Sequence, residues 1–207
     1  MLIVKICIFI AAQNHVTMSS KNTPDTGLKL FMLLLGCKPP GRHTEQHDVF
    51  FGMANSLRDL VPEIQAFWPE PEKIHIDAWR EVNTVEGYSI KIVPADMPVA
   101  SHQKLFFINL GGYQENKFAE QHYIVLTVNP DRAAAFKEAK STLFFKENNY
   151  GGNSHIDDKY GIDVDDIYQI EDILSPELKG KYRVELTPGE NLPADFINLG
   201  YFKLSNL

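Results

Sequence analysis

The stretch KLFMLLLGC at 29–37 returns as KLFFINLGG at 104–112, and the spacing of 75 carries on through a Glu-Gln-His at 45–47 and again at 120–122. From Lys29 to Gly52, eight of 24 positions are identical at that offset, where ordinary residue frequencies would give about one or two. A duplication constrains a fold strongly, because each copy is one supersecondary unit that must bury its apolar face against a neighbour. His-Ile-Asp at 75–77 recurs at 155–157, an offset of 80, so the second copy is expected to hold about five extra residues near NNYGGN at 148–153. FINLG occurs at 107–111 and again at 196–200, as if the opening strand of each unit returned once more. That shared boundary predicts one continuous sheet, not two separate beads.

Periodicity places the elements. The runs at 30–36 and 105–111 are dense, short and apolar, as buried strands are. EQHDVFFGM and EQHYIVLTV read as strands, with Glu45, His47, Val49, Phe51 and Met53 on one face by the two-residue repeat. A helix is expected after each. SLRDLVPEIQAFW sets Leu57, Leu60, Val61, Ile64 and Phe67 on one stripe, and Pro62 inside it makes that helix kink or start late. NPDRAAAFKEAKSTLFF is expected to be capped by Asn129, with Pro130 in its first turn. KIHIDAWREV, SHIDDKYGI, YSIKIV and YRVEL complete the strands. The expected fold class is α+β: two tandem ββαββ repeats forming a mixed sheet with one helix per repeat. The expected division is a poorly ordered N-terminal extension or linker over 1–27, the first repeat over 28–100, and the second repeat with a C-terminal strand over 101–207.

Composition narrows the function. The chain is 44% hydrophobic and 23% charged, which suits a soluble core-forming protein. A net charge of −7 opposes general binding to a phosphate backbone, so no nucleic-acid partner is expected. The N-terminal MLIVKICIFIAA is split by Lys5 and too short to span a bilayer, so no membrane association is expected either. With only Cys7 and Cys37, reduced thiols in a cytoplasm are the simple reading.

Glu45, His47, Glu120 and His122 are the candidate catalytic groups, since carboxylate and imidazole serve as general acids and bases. With His75, Asp77, His155 and Asp157, the two histidines are also candidate metal ligands, because both residue types coordinate transition metals. Gln46, Gln121, Lys38 and Arg42 are candidate ligand contacts, the last two flanking a Pro-Gly turn. One argument opposes convergence: if Ile74 and Ile76 pack under the helix, His75 and Asp77 point away from Glu45 and His47. The plainer role for each Glu-His pair is to satisfy backbone groups at the rim of the core. The acidic run at 157–172 reads as a solvated face.

The segment LLLGCKPPGRHTEQHDVFFGMANSLRDLVPEIQAFWPE with KIHIDAWREV resembles the uncharacterised bacterial family called domain of unknown function 1543. The second half, GGYQENKFAEQHYIVL to HIDDKYGIDVDDIYQIEDIL, looks like a second copy. The resemblance implies a small cytoplasmic bacterial protein and supplies no activity or catalytic residue. The expectation is a module that binds a small molecule or protein in the cleft between its halves, with no required cofactor. The alternative is a metal-assisted or acid–base, hydrolase-like enzyme using a divalent metal or the Glu, His and Asp groups. A third class is a partner that neutralises a basic protein through the acidic face.

Overall fold

The structure is a computed structural model and describes residues 26–68, 74–99, 101–113, 118–141 and 162–207. Strand β1 (Lys29–Cys37) is apolar almost throughout, and that pattern requires cover on both faces and both edges. β2 (Gln46–Ala54) and β3 (His75–Glu81) flank it, each antiparallel to it. β10 (Asn198–Lys203) adds to the outer edge of β3, giving the order β10-β3-β1-β2. In the second half, β6 (Lys104–Tyr113) lies between β7 (Glu120–Asn129) and β8 (Ile162–Gln169), again antiparallel to both. A third sheet joins β4 (Thr84–Val85), β5 (Tyr88–Pro94) and β9 (Tyr182–Pro188).

All strand pairs among the described residues are antiparallel, so three antiparallel sheets replace the single mixed sheet expected. The reason lies in the crossover. β2 and β3 do run parallel to each other, as a strand–helix–strand connection demands. The connection passes over β1, however, and β3 lands on its far side, so the parallel pair never shares hydrogen bonds.

The halves meet through β5 and β9. Tyr88 pairs with Pro188 and Pro94 with Tyr182, so YSIKIVP and YRVELTP lie head to tail about the Lys91–Glu185 pair. One apolar core runs across this join, with Leu30, Phe51, Met53 and Ile92 from one half against Leu105, Phe107, Leu126 and Val184 from the other. Phe51 and Phe107 meet edge to face at 5.4 Å, an arrangement that adds to their area burial.

Helix α1 (Val61–Phe67) follows a 3-10 turn over Leu57–Leu60 and has Pro62 in its first turn, so it starts late, as its proline requires. Leu60 and Ile64 are fully buried against Phe31, Leu33, Phe50 and Ile76. Helix α2 (Arg132–Ala139) is shorter than expected. It is capped by Asp131, not Asn129, and the Asp131 carboxylate accepts a hydrogen bond from Ala134 N at 2.8 Å. Asn129 is instead the last residue of β7, where its amide donates to Thr127 Oγ1 at 2.7 Å. Two one-turn helices, α3 (Ile170–Ile173) and α4 (Pro176–Lys179), connect β8 to β9. Among the described residues, no helix is long and apolar enough to cross a membrane.

Candidate functional site

Gly36 on β1 pairs with His47 on one side and His75 on the other. Residues paired across antiparallel strands put their side chains on the same face. The two histidines therefore flank a position with no side chain. A Cβ at Gly36 would lie 2.6 Å from His75 Nε2 and 2.6 Å from Asp77 Oδ2, so the space above the glycine is filled by the cluster. The register between β1 and β3 slips at Leu34 and Leu35, leaving Asp77 as the extra, unpaired residue of a bulge. Bulges re-aim side chains near sites.

Four side chains converge there. His47 Nε2 lies 3.1 Å from Asp77 Oδ2 and 3.7 Å from Glu45 Oε2, while His75 Nε2 lies 3.2 Å from both Glu45 Oε1 and Asp77 Oδ1. His75 is 4% exposed, and the Tyr201 ring of β10 covers it at 4.2 Å between centroids. A buried imidazole must be paired, and two carboxylates do that here.

The expectation that His75 and Asp77 point away from Glu45 and His47 is thus overturned. Ile74 and Ile76 do pack with α1. The error lay in β2, whose helix-facing residues are Phe50 and Ala54, while Phe51 and Met53 face the second half. Residues 50–54 are buried on both faces, so alternation of polarity could not tell the faces apart.

The second half keeps part of this arrangement. Gly111 pairs with His122 as Gly36 does with His47. Its partner on β8 is Asp163, so the register counterpart of His75 is Asp163 and not His155. The offset between halves is therefore 88 at this strand, larger than the expected 80. His155 and Asp157 lie outside the described residues, as does nearly all of the strand expected over SHIDDKYGI. His122 Nε2 is 3.6 Å from Glu120 Oε2, and its Nδ1 is 3.3 Å from Asn109 Oδ1. From Asn109 a polar chain continues: its amide donates to Asp166 Oδ2 at 3.5 Å, and Tyr168 OH donates to Asp166 Oδ1 at 3.2 Å. The Asp166 charge beside it, together with that hydrogen bond, raises the Tyr168 phenol above its usual range.

Both histidines open onto one cavity of about 690 Å³ between the halves. Leu34, Phe51, Phe67, Phe107, Ile124 and Ile173 supply apolar wall, and His47, Asp48, Asn109, His122, Asp166 and Tyr168 supply the polar groups. Arg42 and Gln46 line an adjoining pocket of about 450 Å³ that shares His47 and Asp48. Lys38 is exposed and Gln121 half-buried, and neither lines either space. Among the described residues, no three His, Cys, Asp or Glu side chains form a cage that could hold a metal ion. Of the candidate metal ligands, His47, His75 and Asp77 come together with Glu45, His122 stands in the other half, and His155 and Asp157 lie outside the described residues.

Asn109, Asp166 and Tyr168 were missed in the sequence. The signal was there: Asn109 interrupts an otherwise apolar FFINL run, and a lone amide in a buried strand needs a polar partner.

Residues 42–92 match the family described as Domain of Unknown Function (DUF1543), a span that takes in the Glu-Gln-His strand, α1, β3 and most of β5. No curated protein matches the chain. The crystal structure of the protein Il1583 from Idiomarina loihiensis superposes with a TM-score of 0.58 at 22% identity, over 86% of this chain and 97% of that one. The chain is therefore similar over residues 42–92 to a domain of unknown function and has the fold of Il1583.

Proposed function

We propose that this chain binds a small organic molecule in the cavity between its halves. The observation that carries the reading is that His47 and His122, the two histidines of the repeated Glu-Gln-His, line the same cavity of about 690 Å³. That volume lies within the range typical of small-molecule sites, as does a mostly apolar wall with a few convergent polar groups. The reading includes the view that the halves are diverged copies of one unit, supported by the shared Gly–His pairings and the head-to-tail β5–β9 match. A bacterial, cytoplasmic setting is part of it, on the family resemblance alone.

The test uses indole, a neutral aromatic probe, with NMR on the full chain. Indole is expected to shift resonances of Phe51, Phe107, Ile124 and Ile173, and the shifts should vanish in Leu34→Trp, which fills the cavity. Shifts that survive in Leu34→Trp, or no shifts at millimolar probe, sink the reading.

A second reading, an acid–base enzyme, is favoured by the convergence of Glu45, His47, His75 and Asp77. In it His47, half-exposed and in the cavity wall, exchanges the proton, and Asp77 holds its ring. His75, sealed under Tyr201, keeps both carboxylates in place. A bell-shaped pH profile of turnover that His47→Gln abolishes, with folding intact, would establish it; ligand binding indifferent to that change favours the first reading.

A further inference from the structure

The charge of the cavity wall narrows the class of ligand, given that the cavity is a binding site. Among the described residues, the polar groups that line it are two carboxylates, two imidazoles, one amide and one phenol, with no lysine or arginine. Asp48 comes from β2 and Asp166 from β8, so the two carboxylates are contributed by opposite halves. Their hydrogen-bond partners are neutral. Asp48 Oδ1 accepts from Val49 N at 2.7 Å, and Asp166 accepts from the Asn109 amide and the Tyr168 hydroxyl. Among the described residues, neither has a salt-bridge partner within 4.0 Å. Both charges bear on the Tyr168 hydroxyl, and both act to raise its pKa, against a lowering by Arg132. The two halves therefore direct negative potential at one region of the wall.

A carboxylate facing a cleft with low-dielectric walls focuses its field there. It accepts hydrogen bonds but cannot donate them at neutral pH. Phe51, Phe67, Phe107 and Tyr168 present aromatic surface in the same wall, with Phe107 and Tyr168 stacked at 6.4 Å and 12°. Aromatic faces attract cations by their quadrupole. An anionic ligand would meet two carboxylates that have no ion-pair partner within 4.0 Å among the described residues, and a purely apolar one would offer them no hydrogen bond. A protonated amine on an apolar or aromatic body satisfies both halves of the wall at once. We propose that the cavity takes a cationic amine carrying an apolar body, its ammonium group held between Asp48 and Asp166.

The inference rests on the cavity being a binding site, and one experiment separates the two. Tryptamine, tryptophol and indole-3-propionic acid share a ring and differ mainly in charge. Their binding to the full chain is measured by calorimetry at neutral pH and low salt. Tryptamine is expected to bind roughly tenfold or more tighter than tryptophol, as a charged hydrogen bond would give, and the acid weakest of the three. Asp166→Asn and Asp48→Asn, near-isosteric changes, should each erase most of the ratio of tryptamine to tryptophol affinity. If the acid or the alcohol binds as well as the amine, the charge inference falls and the cavity reading stands. If none of the three binds, or binding survives Leu34→Trp, both fall. The comparison of the three probes needs no variant, so a misfolded mutant cannot rescue the proposal.

Discussion

Replacing Gly36 with alanine adds one methyl group at the centre of the four-residue cluster. In a strand that change normally helps, since alanine is favoured over glycine by roughly 0.5–1 kcal/mol. Here the new Cβ would lie 2.6 Å from both His75 Nε2 and Asp77 Oδ2, and 3.0 Å from His75 Cε1. Asp77 is partly exposed and can swing away, but His75 is 4% exposed and lies under Tyr201, so it has little room to retreat. Forcing a methyl into such a site costs about 1–3 kcal/mol. Loss of the His75–Glu45 and His75–Asp77 contacts would push toward the upper end. A net cost near 2 kcal/mol lowers Tm by about 4–8 °C for a chain of this size. Calorimetry measures it, with Gly180→Ala as control, because nothing lies within 4 Å of a Cβ at that position. The decisive comparison is a double-mutant cycle. In a His75→Ala, Asp77→Ala background, Gly36→Ala should cost less than about 0.5 kcal/mol. A cost that persists in that background, or no cost in the native chain, refutes the claim that the cluster fills the space above the glycine.

Two further outcomes are expected. The Asp195 carboxylate, 2% exposed, accepts from Asn83 N at 3.1 Å and Thr84 N at 3.4 Å, and so clamps the turn between β3 and β4. Asp195→Ala should cost about 2–3 kcal/mol by leaving those donors unpaired, read as a lower urea midpoint at unchanged slope. Burial, and then the nearby Glu177, raise the Glu63 carboxyl above its usual value, against a hydrogen bond from Ser175 that lowers it. A raised acid pKa in the folded state is a penalty on the ionised form, absent below the unfolded value and growing as pH rises through the folded one. Glu63→Gln should therefore stabilise the protein at about pH 7 and not at about pH 4. Glu63 is only half-buried, so solvent screening keeps the gain below about 1 kcal/mol. An equal gain at both pH values would contradict that assignment.

Much of the frame was legible because apolar runs and turn residues act locally. β1 and β6, the strands entered by Glu-Gln-His, and a late-starting helix at Pro62 all follow from pattern. What failed was facing and long-range register. Phe50 and Phe51 are both buried, one against α1 and one against the other half. No alternation of polarity survives in such a strand, so the side on which His47 lies could not be deduced. The His-Ile-Asp at 155–157 lies outside the described residues, and the register of the strand that follows it is not set by identity of letters. β8 pairs through Asp163, and only the hydrogen-bond ladder could reveal that. Asn109 and Tyr168 gather around Asp166 by folding, from positions 57 and 2 residues away. Sequence spacing carries no trace of the first.

β10 has a consequence for how the molecule is made. Its Asn198 amide reaches the carbonyl of Trp79, 119 residues earlier, and its Tyr201 covers His75. On the ribosome, β1, β2 and β3 emerge long before the strand that closes their sheet. Until it arrives, β3 offers an open edge with unpaired backbone groups, a template for the wrong partner. A fragment holding only the first half would keep that edge and lose the cover of its buried histidine. The two halves can be drawn as separate units, yet they cannot mature separately, and pairing at such sequence distance is the slow kind.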